Sequence, residues 1–219
     1  MCPGILTELP CIDGARKTAL IDRELHRLNI DIAALQETRL PSTGSVKEKN
    51  YTFFWQGLGA TDRRLHGVGF AVRSSLLSSI DKPSQGTERM LSLRLHASTG
   101  HVNITSAYAP TLSASVESND TFYDQLEAKI KSIPTSEELF ILGDFNARVS
   151  TDNTSWPRCI GQFGIGKLNR NGQRLLEFCS YHDLCVTNTF FSTKMCQRTS
   201  WRHPRSHHWH QLDLVITRT

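Results

Sequence analysis

The segment ELFILGDFN, Glu138 to Asn146, constrains this chain more than any other. Its apolar run is too short for a helix and suits a strand covered on both faces. Such a strand needs a layer above it and a layer below, and the rest of the chain supplies both. TALIDRELHRLNI sets Ile21, Leu25 and Leu28 on one helical face. NDTFYDQLEAKIKSI repeats the pattern with Phe122, Leu126, Ile130 and Ile133, with Ser118, Asn119 or Asp120 available as cap. NGQRLLEFCSYHDL reads as a third helix. DIAALQET and GVGFAVRSSL read as strands, and MLSLRLH alternates Leu91, Leu93 and Leu95 as a half-buried strand does. HVNITSAYAP continues the β character until Pro110 stops it, and LCVTNTFF and LDLVIT add two more strands. Strands outnumber helices, and hairpin-like neighbours mix with helical crossovers. That predicts an α/β protein with mixed sheets rather than a parallel doubly wound one. PSTGSVKEKN, GLGATDRRLHG and the Trp156 to Asn171 segment read as loops. With 219 residues and no evident linker, one domain over 1–219 is expected.

Composition narrows the setting. A hydrophobic fraction of 38% with 21% charged residues is ordinary for a globular chain, and no apolar run is long enough to span a bilayer. MCPGILTELPC lacks the basic start and cleavage site of a secretory leader, so a nuclear or cytosolic address without membrane attachment is expected. The six cysteines show no CxxC pair and read as reduced thiols, mostly core filler. The net charge of +4 is small, but its distribution is uneven. From Lys194 onward, Lys194, Arg198, Arg202, Arg205 and Arg218 stand against a single acid, Asp213, which fits a polyanionic partner and, equally, a plain solvated face.

The polar residues where strands end carry the chemistry. LQET ends on Glu37, LGDFN on Asp144 and Asn146 (on one face if that strand continues), SAYAP supplies Tyr108 and QLD supplies Asp213. Each alone reads as well as a cap, a turn residue or a satisfied core phenol. Together they form an all-oxygen set from separate strands, which suits Mg²⁺ or Mn²⁺ bound beside phosphate oxygens. Phosphodiester hydrolysis is the matching reaction. Glu37 would hold the metal, Asp144 would orient or deprotonate a water, and Asn146 and Tyr108 would donate to the developing charge. A basic surface with Trp201 and Trp209 would hold a nucleic-acid backbone.

LQET, YAP, LGDFNARV and SW…QLD, in this order, resemble the endonuclease/exonuclease/phosphatase superfamily with its deoxyribonuclease-I-like fold. Within it, RKTALIDRELHRLNIDIAALQETRLP and SWRHPRSHHWHQLDLVITR look most like the endonuclease domains of LINE-type (RTE-like) retrotransposons and the craniofacial development protein 2-like group. The resemblance implies a four-layer α-β-β-α sandwich of two mixed sheets flanked by helices. It also implies a Mg²⁺- or Mn²⁺-dependent, apurinic-type endonuclease that nicks DNA. Position by position, Glu37 matches the metal ligand, Tyr108 a phosphate contact, Asp144 the residue that handles water, and Asn146 the group that stabilises the transition state. Asp213 matches an aspartate that orients a histidine. Trp201 matches an aromatic lining the nucleotide end of the site, with Arg202 and Arg205 beside it for substrate. The family's Asn-bearing first strand and its closing Ser-Asp-His strand have no counterpart between Met1 and Thr219. The expectation is therefore a domain truncated at both ends, and a catalytically impaired remnant that at most binds DNA is the alternative. A lipid or inositol phosphodiesterase of the same superfamily is a second alternative.

Overall fold

The computed structural model describes residues 14–83 and 86–219. The amino-terminal MCPGILTELPC, with Cys2 and Cys11, lies outside them. Helix α1 (Gly14–Arg27) leads into β1 (Ile32–Gln36), followed by β2 (Thr43–Lys47), β3 (Tyr51–Gln56) and β4 (Val68–Arg73). These four strands form one sheet in the order β1-β4-β3-β2, antiparallel throughout. A short β5 (Ile80–Asp81) precedes the long hairpin of β6 (Met90–Ala97) and β7 (Gly100–Tyr108). Then come α2 (Val116–Lys131), β8 (Glu138–Asp144), α3 (Arg170–Tyr181), β9 (Leu184–Val186), the one-turn α4 (Met195–Arg198), β10 (Trp201–Arg202), β11 (Trp209–His210) and β12 (Asp213–Arg218). The second sheet runs β5-β6-β7-β8-β12-β9. Its β7–β8 pair is parallel because α2 carries the chain back across the sheet. The mixed character expected of both sheets thus resides, among the described residues, in this one.

Strand alternation sorts the apolar residues into three cores and so stacks four layers. On β8, Leu139 and Ile141 pack toward α2 and α3 with Phe122, Leu126, Ile130, Leu175, Leu176 and Cys179. The intervening Phe140 and Leu142 face the other sheet, where they join Phe70, Val72, Leu91, Leu93 and Ile104. On the far side, Tyr51, Phe53 and Ala71 meet Ile21 and Leu25 of α1. Each strand between two layers buries both faces, which is what the continuous apolar runs required. The four-layer sandwich is the fold expected from the resemblance.

Local details depart from expectation. PSTGSVKEKN contains β2 rather than a loop, because an edge strand can expose polar residues, and Thr43–Lys47 does. Helix α2 starts earlier than expected: the Ser115 hydroxyl accepts from the Ser118 N–H and serves as the cap. Leu28 lies beyond α1 and is exposed. GVGFAVRSSL and LCVTNTFF are strands only at their starts, and each passes into a 3-10 turn. Cys159 and Cys179 are buried filler, whereas Cys196 is exposed. Among the described residues no helix is long and apolar enough to cross a membrane.

Candidate active site

Register aligns three of the expected residues in one row. Asp144 is the parallel partner of Tyr108 on β7 and the antiparallel partner of Asp213 on β12. Directly opposed residues point to the same face, here the face that looks toward the four-stranded sheet. Gly143, one residue earlier, allows this close pairing: a Cβ there would lie 1.8 Å from the Ala107 carbonyl oxygen.

Glu37 reaches the row from the opposite sheet through a backbone reversal. Even-numbered residues of β1, Ile32 and Ala34, face the space between the sheets, while Ala33 and Leu35 face α1. Continued extension would send Glu37 toward α1 as well. Instead Glu37 adopts φ 51°, and its carboxylate accepts 2.8 Å from the Tyr108 hydroxyl. Gln36, beside it, donates to the Ser106 hydroxyl at 3.1 Å, so consecutive residues stitch the two sheets at the site's floor. The Arg39 guanidinium donates to the other Glu37 oxygen at 3.0 Å.

Asn146 is brought to Asp144 by a turn, not by a continuing strand as expected from sequence. The strand ends at Asp144, and Asn146 takes φ 47°. Its N–H then donates to Asp144 Oδ1 at 2.8 Å, and its side-chain amide donates to the Ala109 carbonyl at 3.0 Å. Asp144 is pushed up to about 7 by burial, against the Asn146 N–H, which lowers it, and with Asp213 and Glu37 adding repulsion. Tyr108 is pushed well above the ordinary phenol range by burial and by its bond to Glu37, so it remains a donor at neutral pH.

Asp213 is exposed at the head of β12, its main chain held on both sides. Its N–H donates to the Ser200 hydroxyl at 3.2 Å and its carbonyl accepts from Asn188 at 3.1 Å. Ser200 leads directly into the β10–β11 hairpin, which carries Trp201, Arg202 and, in its turn, Arg205. Trp201 stacks at 5.8 Å on His210, and all three expected substrate residues are solvent-exposed. The hairpin is joined to the row through Ser200 but does not enter it.

Two residues of the site were missed in the sequence. Arg89 donates to the Tyr108 carbonyl at 3.1 Å and approaches His66 Nε2 at 3.0 Å. His66 packs edge-on against the Tyr108 ring, and burial followed by the Arg89 charge lowers its pKa. Both sit in polar stretches whose only local signal is charge, and strand register alone brings them to Tyr108.

A hard divalent cation fits the donor set. Every candidate ligand is an oxygen, and Asp144, raised chiefly by burial, also feels repulsion from Asp213 and Glu37 that a cation would relieve. Both Glu37 oxygens already accept one hydrogen bond, which leaves lone pairs on each for an ion. Among the described residues no group of three or more His, Cys, Asp or Glu is assembled tightly enough to hold a metal by itself.

A model of the Endonuclease/Exonuclease/phosphatase family matches residues 12–219. Craniofacial development protein 2 of Bos taurus is 29% identical over 202 residues, which are 92% of this chain and 33% of that protein. The chain thus spans about a third of the curated relative it matches. Two solved structures share the fold. The endonuclease domain of TRAS1, a telomere-specific non-LTR retrotransposon, superposes with TM-score 0.59 at 15% identity, over 92% of this chain and 78% of its own. The AP endonuclease LMAP from Leishmania major superposes with TM-score 0.60 at 13% identity, over 94% and 74% respectively.

Proposed function

The chain belongs to the endonuclease/exonuclease/phosphatase family, and from that premise we propose that it is a Mg²⁺-dependent phosphodiester hydrolase that nicks DNA. The observation that carries the reading is the row Tyr108–Asp144–Asp213 with Glu37 bonded into it from the other sheet. Likeness to a retrotransposon endonuclease and to an AP endonuclease favours the apurinic-type class and an origin in a non-LTR retrotransposon.

Each residue has work suited to its surroundings. Glu37 would hold Mg²⁺ or Mn²⁺, which when bound polarises a phosphoryl oxygen and stabilises the leaving oxyanion. Asp144, near 7, both accepts and releases a proton around neutral pH and so serves as the base for the attacking water. The Asn146 amide keeps one N–H for charge that develops on the phosphoryl oxygens, and the Tyr108 hydroxyl would serve there on turning its single proton from Glu37 to substrate. Asp213, paired with Asp144 across β12 and β8, matches the family aspartate that orients a histidine. Trp201, Arg202 and Arg205 offer an aromatic platform and two cations to the DNA backbone beside the cut.

The test is nicking of supercoiled plasmid with Mg²⁺ present or chelated. Open circles that form only with Mg²⁺ and are lost in Asp144→Asn are the expected result. Metal-independent nicking, or hydrolysis of lipid or inositol phosphodiesters without any action on DNA, would overturn the reading.

A further inference from the structure

The first turn of α3 touches the GDFN turn through two side-chain amides that neither the proposed chemistry nor the sequence reading uses. Asn169 caps the helix: its Oδ1 accepts from Gly172 N–H at 2.7 Å and from Arg148 N–H at 3.0 Å. Its Nδ2 donates to the Asn146 carbonyl at 3.3 Å. Asn171, buried in the same turn, donates to that carbonyl at 3.2 Å and to the Pro110 carbonyl at 3.0 Å. Thus the Asn146 carbonyl, in a left-handed residue next to fully buried Ala147, receives donors on both lone pairs. Asn171 also ties the exit of β7 at Pro110 to the exit of β8 at Asn146. Gly172 permits this approach, since a Cβ there would meet the Arg148 carbonyl oxygen at 2.0 Å.

We infer that Asn169 and Asn171 are positioning residues that clamp the Asn146 peptide, and thereby aim its N–H at Asp144 and hold its side-chain amide on the Ala109 carbonyl. The role of this clamp in catalysis rests on the hydrolase reading above. Left-handed backbone is uncommon at a non-glycine residue, and though asparagine tolerates it better than most, surrounding bonds are what hold it there. Removing the two donors leaves the half-buried carbonyl unpaired, and the turn relaxes. Neither residue touches substrate, so substrate affinity should not register the loss.

The experiment compares Asn171→Asp, which replaces a donor by an acceptor at constant shape, with Asn169→Ser, which keeps a good cap but has no amide donor. With a duplex oligonucleotide and Mg²⁺, each should lower kcat by about tenfold or more while KM stays within about twofold. Added to Asn146→Ala, Asn171→Asp should cause little further loss, because both act through one group. Amide hydrogen exchange at Asn146, read without substrate or metal, should accelerate in both variants while α2 remains protected. Unchanged exchange at Asn146 in both variants, a rise in KM alone, or full additivity with Asn146→Ala would overturn the clamp. If Asn171→Asp does not fold, Asn169→Ser decides by the same readouts. A parent chain that never nicks DNA sinks the hydrolase reading, and the exchange measurement then still decides the clamp.

Discussion

The two ends of the six-stranded sheet are built from similar residues and handle charge in opposite ways. At the hairpin end Glu137 and Asp81 each have a basic partner. Glu137 accepts from both Arg94 and Asn103, bonds that hold its carboxyl below the usual range. Asp81 is likewise held low by its bond to His96, 2.9 Å away. Arg218 closes that end by donating to the carbonyls of Ile133, Pro134 and Glu137. At the other end Asp144 is driven up to about 7, first by burial and then by repulsion from Asp213 and Glu37. One end is arranged for stability. The other sets a buried carboxyl group, poised near neutral pH, beside two further acids, which suits a site for a cation and a proton transfer.

The largest effect that would break this contrast is on rate. Asp144→Asn keeps an acceptor for the Asn146 N–H but cannot take a proton. Removing a general base typically costs 10²- to 10⁴-fold, and nicking by this variant should fall by about that factor. A plasmid assay that found Asp144→Asn as fast as its parent would remove Asp144 from the chemistry.

The same substitution should raise stability without metal. In the folded chain Asp144 keeps its proton to about 7, whereas an unperturbed aspartate releases it near 3.8. Between those values the folded state binds more protons, so its stability from this group falls as pH rises and levels off above about 7. The total is on the order of 4 kcal/mol, taking 1.36 kcal/mol for each pH unit. Metal-free Asp144→Asn should therefore unfold at higher denaturant than its parent at pH 8, with the two converging toward pH 4. Added Mg²⁺ should narrow the gap at pH 8 by stabilising the parent. Equal midpoints at pH 8 without metal would show that the site is not charge-strained.

A smaller effect concerns binding. Arg202 and Arg205 stand on a hairpin joined to the functional end through Ser200 and Asp213. Each cation that neutralises a phosphate steepens the dependence of log affinity on log salt by about 1, so replacing both with Ala should flatten that slope by about 2. Replacing Arg94, at the far end, should not change it. A gel shift across salt concentrations distinguishes the two ends directly.

Most of the layering was legible because period-2 and period-3.6 patterns report burial on one face or two, and LQET, SAYAP, GDFN and QLD all fell at strand ends. Local position did not suffice for geometry. The face of Glu37 depends on a φ of 51° that hydrophobic periodicity cannot encode, and Asn146 reaches Asp144 by a turn rather than by strand parity. Arg89, His66 and Asn171 reach the site only through register and packing between segments distant in sequence. β2 was invisible because an exposed edge strand has no apolar period to read.

The smallest predicted effect sharpens the comparison from the stable end. Glu137→Gln removes the charge that Arg94 and Asn103 share while keeping the side chain's length. The Arg94–Glu137 pair is half-buried, with Arg94 still open to solvent, and glutamine keeps an acceptor for it, so thermal stability should fall only modestly. Because folding holds the Glu137 carboxyl low, its contribution is present above the ordinary glutamate range and fades as acid protonates it. The variant and its parent should therefore differ at pH 7 and converge in acid, the same direction of convergence as for Asp144→Asn but with the opposite sign of the difference. Nicking should be unchanged, since the substitution lies at the far end of β8's layer from Asp144. A Glu137→Gln chain that lost activity while keeping its thermal midpoint would show that the two ends are coupled, and the division of labour along the sheet would fail.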